Sequence, residues 1–461
     1  MQISASELGP LVNPHWSPSN LNVIAGPNGS GKTYLAHAIY LLIKGLSWNP
    51  QRAVFQTASV LDDLALQLVD NKRAVLDRDE LVSLVKTLVE QQALQSAWPF
   101  MNYLKSNSDM ADLPLRISVD ENDIEDVLFK SSQRRSIPVK TGAGEVQCVL
   151  EISASERNAT LALSSLDQDS GTEFPDGSIP TDVRQINRCI GILLGVSFSG
   201  TVPPPYILSA ERTGISLFQQ DIDYGRSLLV EEFRIEGEKA LNGVSSAIWS
   251  PAIEDNFNTF RSLNRKRNNR SFLVDEHPEI LRLFDAMVSG RFVESDGEFK
   301  FAPDGATGSI PLTSTSSTVR ALFELGEFLR HSAKKGQWLI IDEPELNLHP
   351  HNQILMGRLL AALSNAGLKI LVTTHSDYIV RELSILVMLK QRDQIALPDG
   401  YASEYVLSPE SVRVDYTEVE GDSRRFKLHS VDVTVEDGIA TPFFDEAIRK
   451  QNDVFEEVMW G

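Results

Sequence analysis

Eight consecutive residues, Gly26-Pro27-Asn28-Gly29-Ser30-Gly31-Lys32-Thr33, have the types and spacing to hold a polyphosphate. Glycines let the backbone curl so that its N–H groups point inward at an anion. The Lys32 ammonium can reach the terminal phosphates, and the Thr33 hydroxyl can sit on the Mg²⁺ that accompanies them. The pattern G-x-x-x-x-G-K-[ST] is specific only where a strand precedes it and a helix follows. Here Leu21 to Ala25 is a mostly apolar run, and Tyr34 to Leu46 repeats apolar residues at helical spacing. A helix beginning at this loop adds the positive end of its dipole to the anion site. A chance glycine-rich turn would have no need of the lysine, the hydroxyl and both flanks together.

A second set stands three hundred residues on, in Trp338-Leu339-Ile340-Ile341-Asp342-Glu343-Pro344-Glu345. A strand buried on both faces can carry acids only at its C-terminal end, where parallel sheets bind their ligands. Asp342 is placed to organise Mg²⁺ through its water shell. Glu343 is placed to orient or deprotonate an attacking water. With the loop at Gly26 to Thr33, these are the Walker A and Walker B elements of a P-loop NTPase. A further apolar strand ends at Thr373-Thr374-His375-Ser376. A lone histidine at a strand end is usually structural. His375, one βα unit beyond Asp342 and Glu343, should emerge beside them and sense the γ-phosphate.

The elements that must position these residues are legible in part. Residues 54–105 have apolar residues at helical spacing, such as Leu61, Leu64 and Leu68. Residues 113–165 alternate, as in Val146 to Ile152, which predicts antiparallel strands. Leu166 to Thr181 reads as a loop, 182–196 as a helix and Tyr206 to Leu208 as a strand. Residues 221–300 read as helical and charged, with a basic cluster from Arg261 to Arg270. A helix over Val319 to Arg330, a strand at Trp338 to Ile341, a helix near 351–365 and a strand at Leu368 to Thr373 complete a βαβ pattern. The tail from 400 shows short alternating runs and an acidic end.

The 461 residues carry a net charge of −20, which argues against a broad nucleic-acid surface, because phosphate contacts need clustered Lys and Arg. Two cysteines, Cys148 and Cys189, support neither a disulfide framework nor a cysteine zinc cluster and suit a reducing compartment. The first residues, MQISASELGPLV, have no basic region followed by an apolar core, and no apolar run is long enough to span a bilayer. The expectation is a cytoplasmic protein with no membrane partner. Trp16, upstream of the loop, could stack on a base, although a packed or exposed loop tryptophan is the ordinary reading.

The order P-loop, large insertion, Ile340-Ile341-Asp342-Glu343-Pro344-Glu345-Leu346-Asn347-Leu348-His349-Pro350, then Val372-Thr373-Thr374-His375-Ser376-Asp377 resembles the ABC-type ATPase heads of the SMC, RecF and OLD class. That resemblance covers about residues 1–46 and 310–385 in motif and the middle in architecture alone. It implies an α/β fold: an ABC-ATPase-like P-loop NTPase head with a mixed sheet, an antiparallel β lobe and a helical insertion. The implied division is an ATPase lobe over 1–210, a helical insertion over 211–310, a second ATPase lobe over 311–390 and an extension over 391–461. ATP and Mg²⁺ are the implied ligands; no Asn-Lys-x-Asp guanine reader is evident.

In the family a signature loop, Ser-Gly-Gly-Glu-Lys-x-Leu, precedes the Walker B strand by one helix. Here Ser316-Ser317-Thr318-Val319-Arg320-Ala321-Leu322 stands there, with both glycines and the glutamate replaced. By resemblance, Ser316 contacts the γ-phosphate held by the opposite subunit of a homodimer, and Leu346 to His349 form the D-loop at its seam. The Q-loop position, Ser209 to Arg212, has no glutamine, so Glu211 or Arg212 would take that role. A compact insertion without a long coil is similar to the stand-alone ATPases of bacterial anti-phage systems, of the Septu and PARIS types, which work with a separate nuclease.

A nuclease within this chain would need its own carboxylate or histidine constellation. Glu420-Gly421-Asp422 is followed by no Asp-x-Asp, as the Toprim domain of OLD enzymes would require, and no His-Asn-His arrangement is visible. The expected partners are a second copy of the chain and a separate nuclease or toxin subunit. Two rival readings remain at this stage. One is a DNA repair or chromosome-maintenance ATPase that touches DNA through Arg261 to Arg270. The other is a nucleotide-dependent structural assembly with negligible turnover.

Overall fold

The computed structural model describes residues 1–47, 61–104, 114–141, 144–165, 183–236, 249–295, 297–392, 397–421, 424–440 and 442–460. They fall into two compact units. One comprises Met1–Ser4, Leu41–Met101 and Asn107–Pro204; the other comprises Ala5–Tyr40, Asn102–Ser106 and Pro205–Gly461.

The second unit is organised on an eight-stranded mixed sheet. Its order is Tyr206–Leu208, Trp338–Asp342, Lys369–Thr374, Leu21–Ala25, Val412–Val419, Phe426–Val431, Leu11–Val12 and Glu7–Leu8. The first five strands are mutually parallel, and Phe426–Val431 returns antiparallel to Val412–Val419. Every residue of Leu21–Ala25 and of Trp338–Asp342 is buried, which is why both read as continuous apolar runs without alternation. Helices cover the sheet, and burying each Leu, Ile or Val side chain of this core contributes about 1.5–3 kcal/mol before the entropy of ordering is set against it. Three of these helices start on side-chain caps: Ser316 before Ser317–His331, His349 before Pro350–Asn365 and Ser376 before Asp377–Met388. Each cap satisfies an otherwise orphaned N–H and fixes where its helix starts.

In the first unit, four antiparallel strands run in the order Arg73–Leu76, Asn158–Ser165, Gly144–Ser153 and Gln133–Thr141. Helix Val183–Ser199 buries Ile186, Cys189, Ile190, Leu193, Leu194 and Phe198. Cys148 and Cys189 are free and buried, and burial pushes the Cys148 thiol up to about 12, so it behaves as a small apolar side chain. The architecture is that of an ABC-ATPase-like P-loop NTPase head, α/β with a mixed sheet, an antiparallel β lobe and a mainly helical insertion.

Two sequence expectations need correction. The stretch 221–300, expected to be helical, ends in a hairpin of Gly290–Ser295 with Glu298–Pro303, because Arg291 to Ser295 and Glu298 to Ala302 pack cross-strand aromatics where helical spacing fails. Residues 54–105 are not helical throughout: Arg73–Leu76 alternates exposed and buried and joins the antiparallel sheet. Ala5–Tyr40 lies in one unit with the residues from Pro205 onward, and Leu21–Ala25 is hydrogen-bonded between Lys369–Thr374 and Val412–Val419. The expected loop from Leu166 to Thr181 lies outside the described residues.

Candidate functional site

Three adjacent parallel strands bring the singled-out residues to one sheet edge. Asp342 pairs with Thr373, Thr373 with Ile24, and Thr374 with Ala25, so the P-loop, Asp342–Glu343 and His375 all leave the sheet at its C-terminal end. That edge is where parallel sheets bind ligands.

Leu21–Ala25 leads into Gly26 at φ +144°, with Gly29 at +73° and Gly31 at +95°. Gly26 needs its missing side chain twice over, because a Cβ there would come within 1.9 Å of the Thr417 Oγ1. Pro27, Asn28 and Gly29 form the exposed tip, while Ser30, Gly31 and Lys32 are buried. The Ser30 hydroxyl lies 2.7 Å from the Thr417 hydroxyl, which donates to it. Helix Lys32–Leu46 begins at the lysine itself, so its first N–H groups face the loop. The Lys32 ammonium donates to the carbonyls of Gly26 at 2.9 Å and Pro27 at 2.8 Å, which holds it across the loop. Burial lowers its pKa, and Glu343, Asp342 and Glu345 pull the other way.

The Thr33 hydroxyl donates to Asp342 Oδ1 at 3.2 Å, and the Thr373 hydroxyl donates to the same oxygen. Asp342 is fully buried, and its second oxygen, Oδ2, has no hydrogen-bond partner. An unpartnered buried carboxylate oxygen beside a threonine hydroxyl is a donor set suited to a hydrated hard cation. Among the described residues no group of three or more His, Cys, Asp or Glu could hold a metal alone. Thr33 and Asp342 therefore fit a Mg²⁺ that takes its remaining ligands from phosphate and water.

Glu343 has a left-handed backbone, φ +52°, unusual for a residue with a side chain. Its N–H donates to the Thr373 carbonyl at 3.1 Å and to the Thr373 hydroxyl at 3.2 Å. Its carboxylate is 3.9 Å from His375 Nδ1. Burial raises the Glu343 pKa above the usual carboxylate range, with His375 lowering it and Asp342 and Glu345 raising it further. A carboxylate tuned in that direction is a better proton acceptor near neutral pH.

Glu345 does what its sequence position did not announce. Its Oε1 accepts from the His375 N–H at 2.8 Å and from the Thr374 hydroxyl at 2.9 Å, and lies 3.7 Å from His375 Nε2. It holds the backbone of His375, whose Nδ1 has no hydrogen-bond partner. Ser376 donates to Gln353 at 2.6 Å and caps the helix that follows.

Ser316 stands apart from this group. It is exposed, and its hydroxyl accepts from the Val319 N–H at 3.3 Å as a helix cap. The neighbouring Thr318 hydroxyl donates to the Asn347 carbonyl at 2.7 Å, tying the signature position to the expected D-loop. At the Q-loop position Arg212, not Glu211, turns inward, donating to the Asp342 carbonyl at 2.8 Å and the Glu343 carbonyl at 2.7 Å. Trp16 is packed, 2% exposed with its ring 6.2 Å from Trp338, so it offers no face to a base.

Within the basic cluster one arginine is taken up by a buried partner, and two others form pairs at the surface. Arg267 makes two bonds, 2.7 and 2.6 Å, to the buried Glu327. Arg270 pairs with Asp275 at 2.7 Å, Arg261 with Asp223 at 3.2 Å, and Lys266 lies 5.8 Å from the Tyr206 ring centre.

Comparison with known proteins finds one family model that matches part of the chain. Residues 231–380 match the family model described as an AAA ATPase domain. That stretch, about a third of the chain, is similar to such a domain. The matched stretch holds Ser316, Asp342, Glu343 and His375, and the P-loop lies upstream of it. No curated protein matches the chain. Among solved structures, an SmcHead bound to the C-winged helix domain of ScpA is similar at 12% identity and a TM-score of 0.34, covering 94% of this chain and 97% of that one. An SMC head domain from Thermotoga maritima gives 14%, 0.29, 94% and 98% in the same order. A Smc head with an extended coiled coil, bound to the C-terminal domain of ScpA derived from Pyrococcus furiosus, gives 12%, 0.32, 98% and 98%. Likenesses this loose bear on nothing that follows. No helix among the described residues is long and apolar enough to cross a membrane.

Three contributors escaped sequence reasoning. Thr417 lies in the tail, whose strand slots beside Leu21–Ala25 with no motif to mark it. Thr373 and Glu345 sit inside quoted motifs, yet only the register Asp342 to Thr373 reveals which oxygens they meet.

Proposed function

We propose that this chain binds and hydrolyses ATP as an ABC-type ATPase, and that nucleotide joins two copies so that Ser316 of one completes the site of the other. The observation that carries the reading is the meeting of Lys32, Thr33, Asp342, Glu343 and His375 at one sheet edge, with Asp342 Oδ2 buried and unpartnered. Gly26 to Thr33 wrap the phosphates with backbone N–H groups, and Lys32 exchanges its carbonyl partners for phosphate oxygens. Thr33 and Asp342 would hold a Mg²⁺ ion, which would supply positive charge to the transferred phosphoryl group. Glu343 takes the proton of the attacking water, and His375, its backbone held by Glu345, senses the γ-phosphate.

The dimer's geometry then governs a partner, a separate nuclease or toxin subunit, in a role like that of anti-phage ATPase subunits. The net charge of −20, with Arg267 taken up by the buried Glu327, favours a protein partner over direct DNA binding. The test is ATP binding and hydrolysis by the wild type and by Lys32→Ala. Both activities should be present in the first and lost in the second, with the fold retained. Unchanged ATP affinity in the variant would remove the reading. In cells challenged with phage, protection given by the wild type should vanish with Lys32→Ala; a wild type that never protects contradicts the defence role.

A further inference from the structure

Arg212 is the first residue of helix Arg212–Glu236, directly after the edge strand Tyr206–Leu208, and is only 4% exposed. A guanidinium buried so deeply must have its N–H groups used, and here they are spent on carbonyls. Nη1 donates to Ser209 at 3.0 Å and to Asp342 at 2.8 Å, Nη2 to Glu343 at 2.7 Å, and Nε to Ala321 at 3.3 Å. Those four oxygens belong to three elements: its own turn, the end of Trp338–Asp342, and the first turns of Ser317–His331.

Two facts give this arrangement a purpose beyond packing. Glu343 is held in the left-handed region at φ +52°, a conformation that costs a residue with a side chain and persists only where its surroundings impose it. Its N–H is held by Thr373, and its carbonyl accepts from the Leu346 N–H at 3.1 Å and from Arg212, so Arg212 is the one side chain that holds the carbonyl side of that residue. The same side chain reaches Ala321, one turn and a half into the helix capped by Ser316. A helix is stiff over that length, so a pull at its start is delivered to the Ala321 carbonyl.

Resting on the ATPase reading above, we propose that Arg212 is a positioning residue: it holds Glu343 in the backbone conformation that aims the carboxylate at the attacking water and ties that conformation to the Ser316 helix. Contact between Ser316 and the nucleotide of the second copy then reaches Glu343 through one guanidinium. Arg212 touches neither nucleotide nor water, and ATP binding through Gly26 to Thr33 does not depend on it.

The test uses the full chain as wild type, Arg212→Lys, Glu343→Gln and the double variant, read by ATP affinity, single-turnover hydrolysis and thermal midpoint. Lysine keeps the charge but lacks the planar fork that bridges several carbonyls. Arg212→Lys should lower the hydrolysis rate at least about tenfold while ATP affinity stays within about threefold, the split expected when an interaction serves the transition state alone. In the Glu343→Gln background the same change should lower the rate no further, because Arg212 acts through Glu343. A fully active Arg212→Lys, a parallel loss of affinity and rate, additive losses in the double variant, or a variant that does not fold would each overturn the proposal. An inactive wild type that binds no ATP would instead sink the ATPase reading, and this inference with it.

Discussion

Replacing Gly26 by alanine isolates what the first glycine of the loop does. Its φ of +144° is a region that residues with a side chain rarely enter, at about 1–3 kcal/mol. The new Cβ would also sit 1.9 Å from Thr417 Oγ1 and 3.1 Å from Thr417 Cβ, so the loop and the tail strand must separate. Together these give about 2–4 kcal/mol against the binding conformation, or about 30- to 1,000-fold weaker ATP binding. Gly29 is the internal control: its φ is +73° but nothing lies within 4 Å of an added Cβ. Gly29→Ala should cost only the conformational part, about 1–2 kcal/mol or about 5- to 30-fold. Thr417→Ala removes the closest clashing atom, so it should recover part of the Gly26→Ala loss and none of the Gly29→Ala loss. Equilibrium ATP binding on the five chains, with thermal midpoints to confirm folding, reads all of this. Equal losses at the two glycines, or equal rescue of both by Thr417→Ala, would refute the claim that the tail strand shapes the phosphate loop.

Two further outcomes follow from side chains elsewhere in the same unit. Ser316→Arg places a long cation at the exposed cap and should abolish ATP-dependent pairing while a single copy still binds ATP; undiminished pairing by light scattering contradicts the signature assignment. Glu324 is buried, bonded by Asn256 at 2.7 and 2.8 Å and by Tyr206 at 3.2 Å, and burial raises its pKa to about 8 against an ordinary 4.5. The folded chain thus binds the extra proton between those values, and stability falls as pH rises through that window, with an upper bound of about 4–5 kcal/mol. Glu324→Gln should flatten the dependence of denaturation midpoint on pH from 5 to 8; an unchanged slope contradicts it.

The candidate nucleotide site was legible because its chemistry is local. Gly26 to Thr33 and Asp342-Glu343 carry their own context, an apolar strand on one side and a helix or sharp turn on the other, and a strand buried on both faces admits acids only at its end. His375 was placed by topology, and the strand register from Asp342 to Thr373 to Ile24 puts it beside Glu343. What stayed hidden depends on long-range pairing. Val412–Val419 alternates like any half-buried strand, and nothing in it announces a seat beside the P-loop strand. The hairpin Gly290–Ser295 with Glu298–Pro303 did carry a local signal, Asp296-Gly297 between two alternating runs, which the helical reading passed over; Phe292 packs on Phe301, and Phe292 and Phe299 pack on Phe323. The Arg261 to Arg270 stretch reads as a basic patch in sequence, while its partners Asp223, Asp275 and Glu327 are scattered along the chain.

The most direct measurement is the mass of the purified chain in solution, with and without ATP and Mg²⁺, for the wild type and Glu343→Gln. The account predicts a doubling of mass on adding nucleotide, transient in the wild type and persistent in Glu343→Gln, where the water-activating carboxylate is gone and Lys32, Thr33 and Asp342 still hold the ligand. A mass that does not respond to ATP in either chain would contradict it.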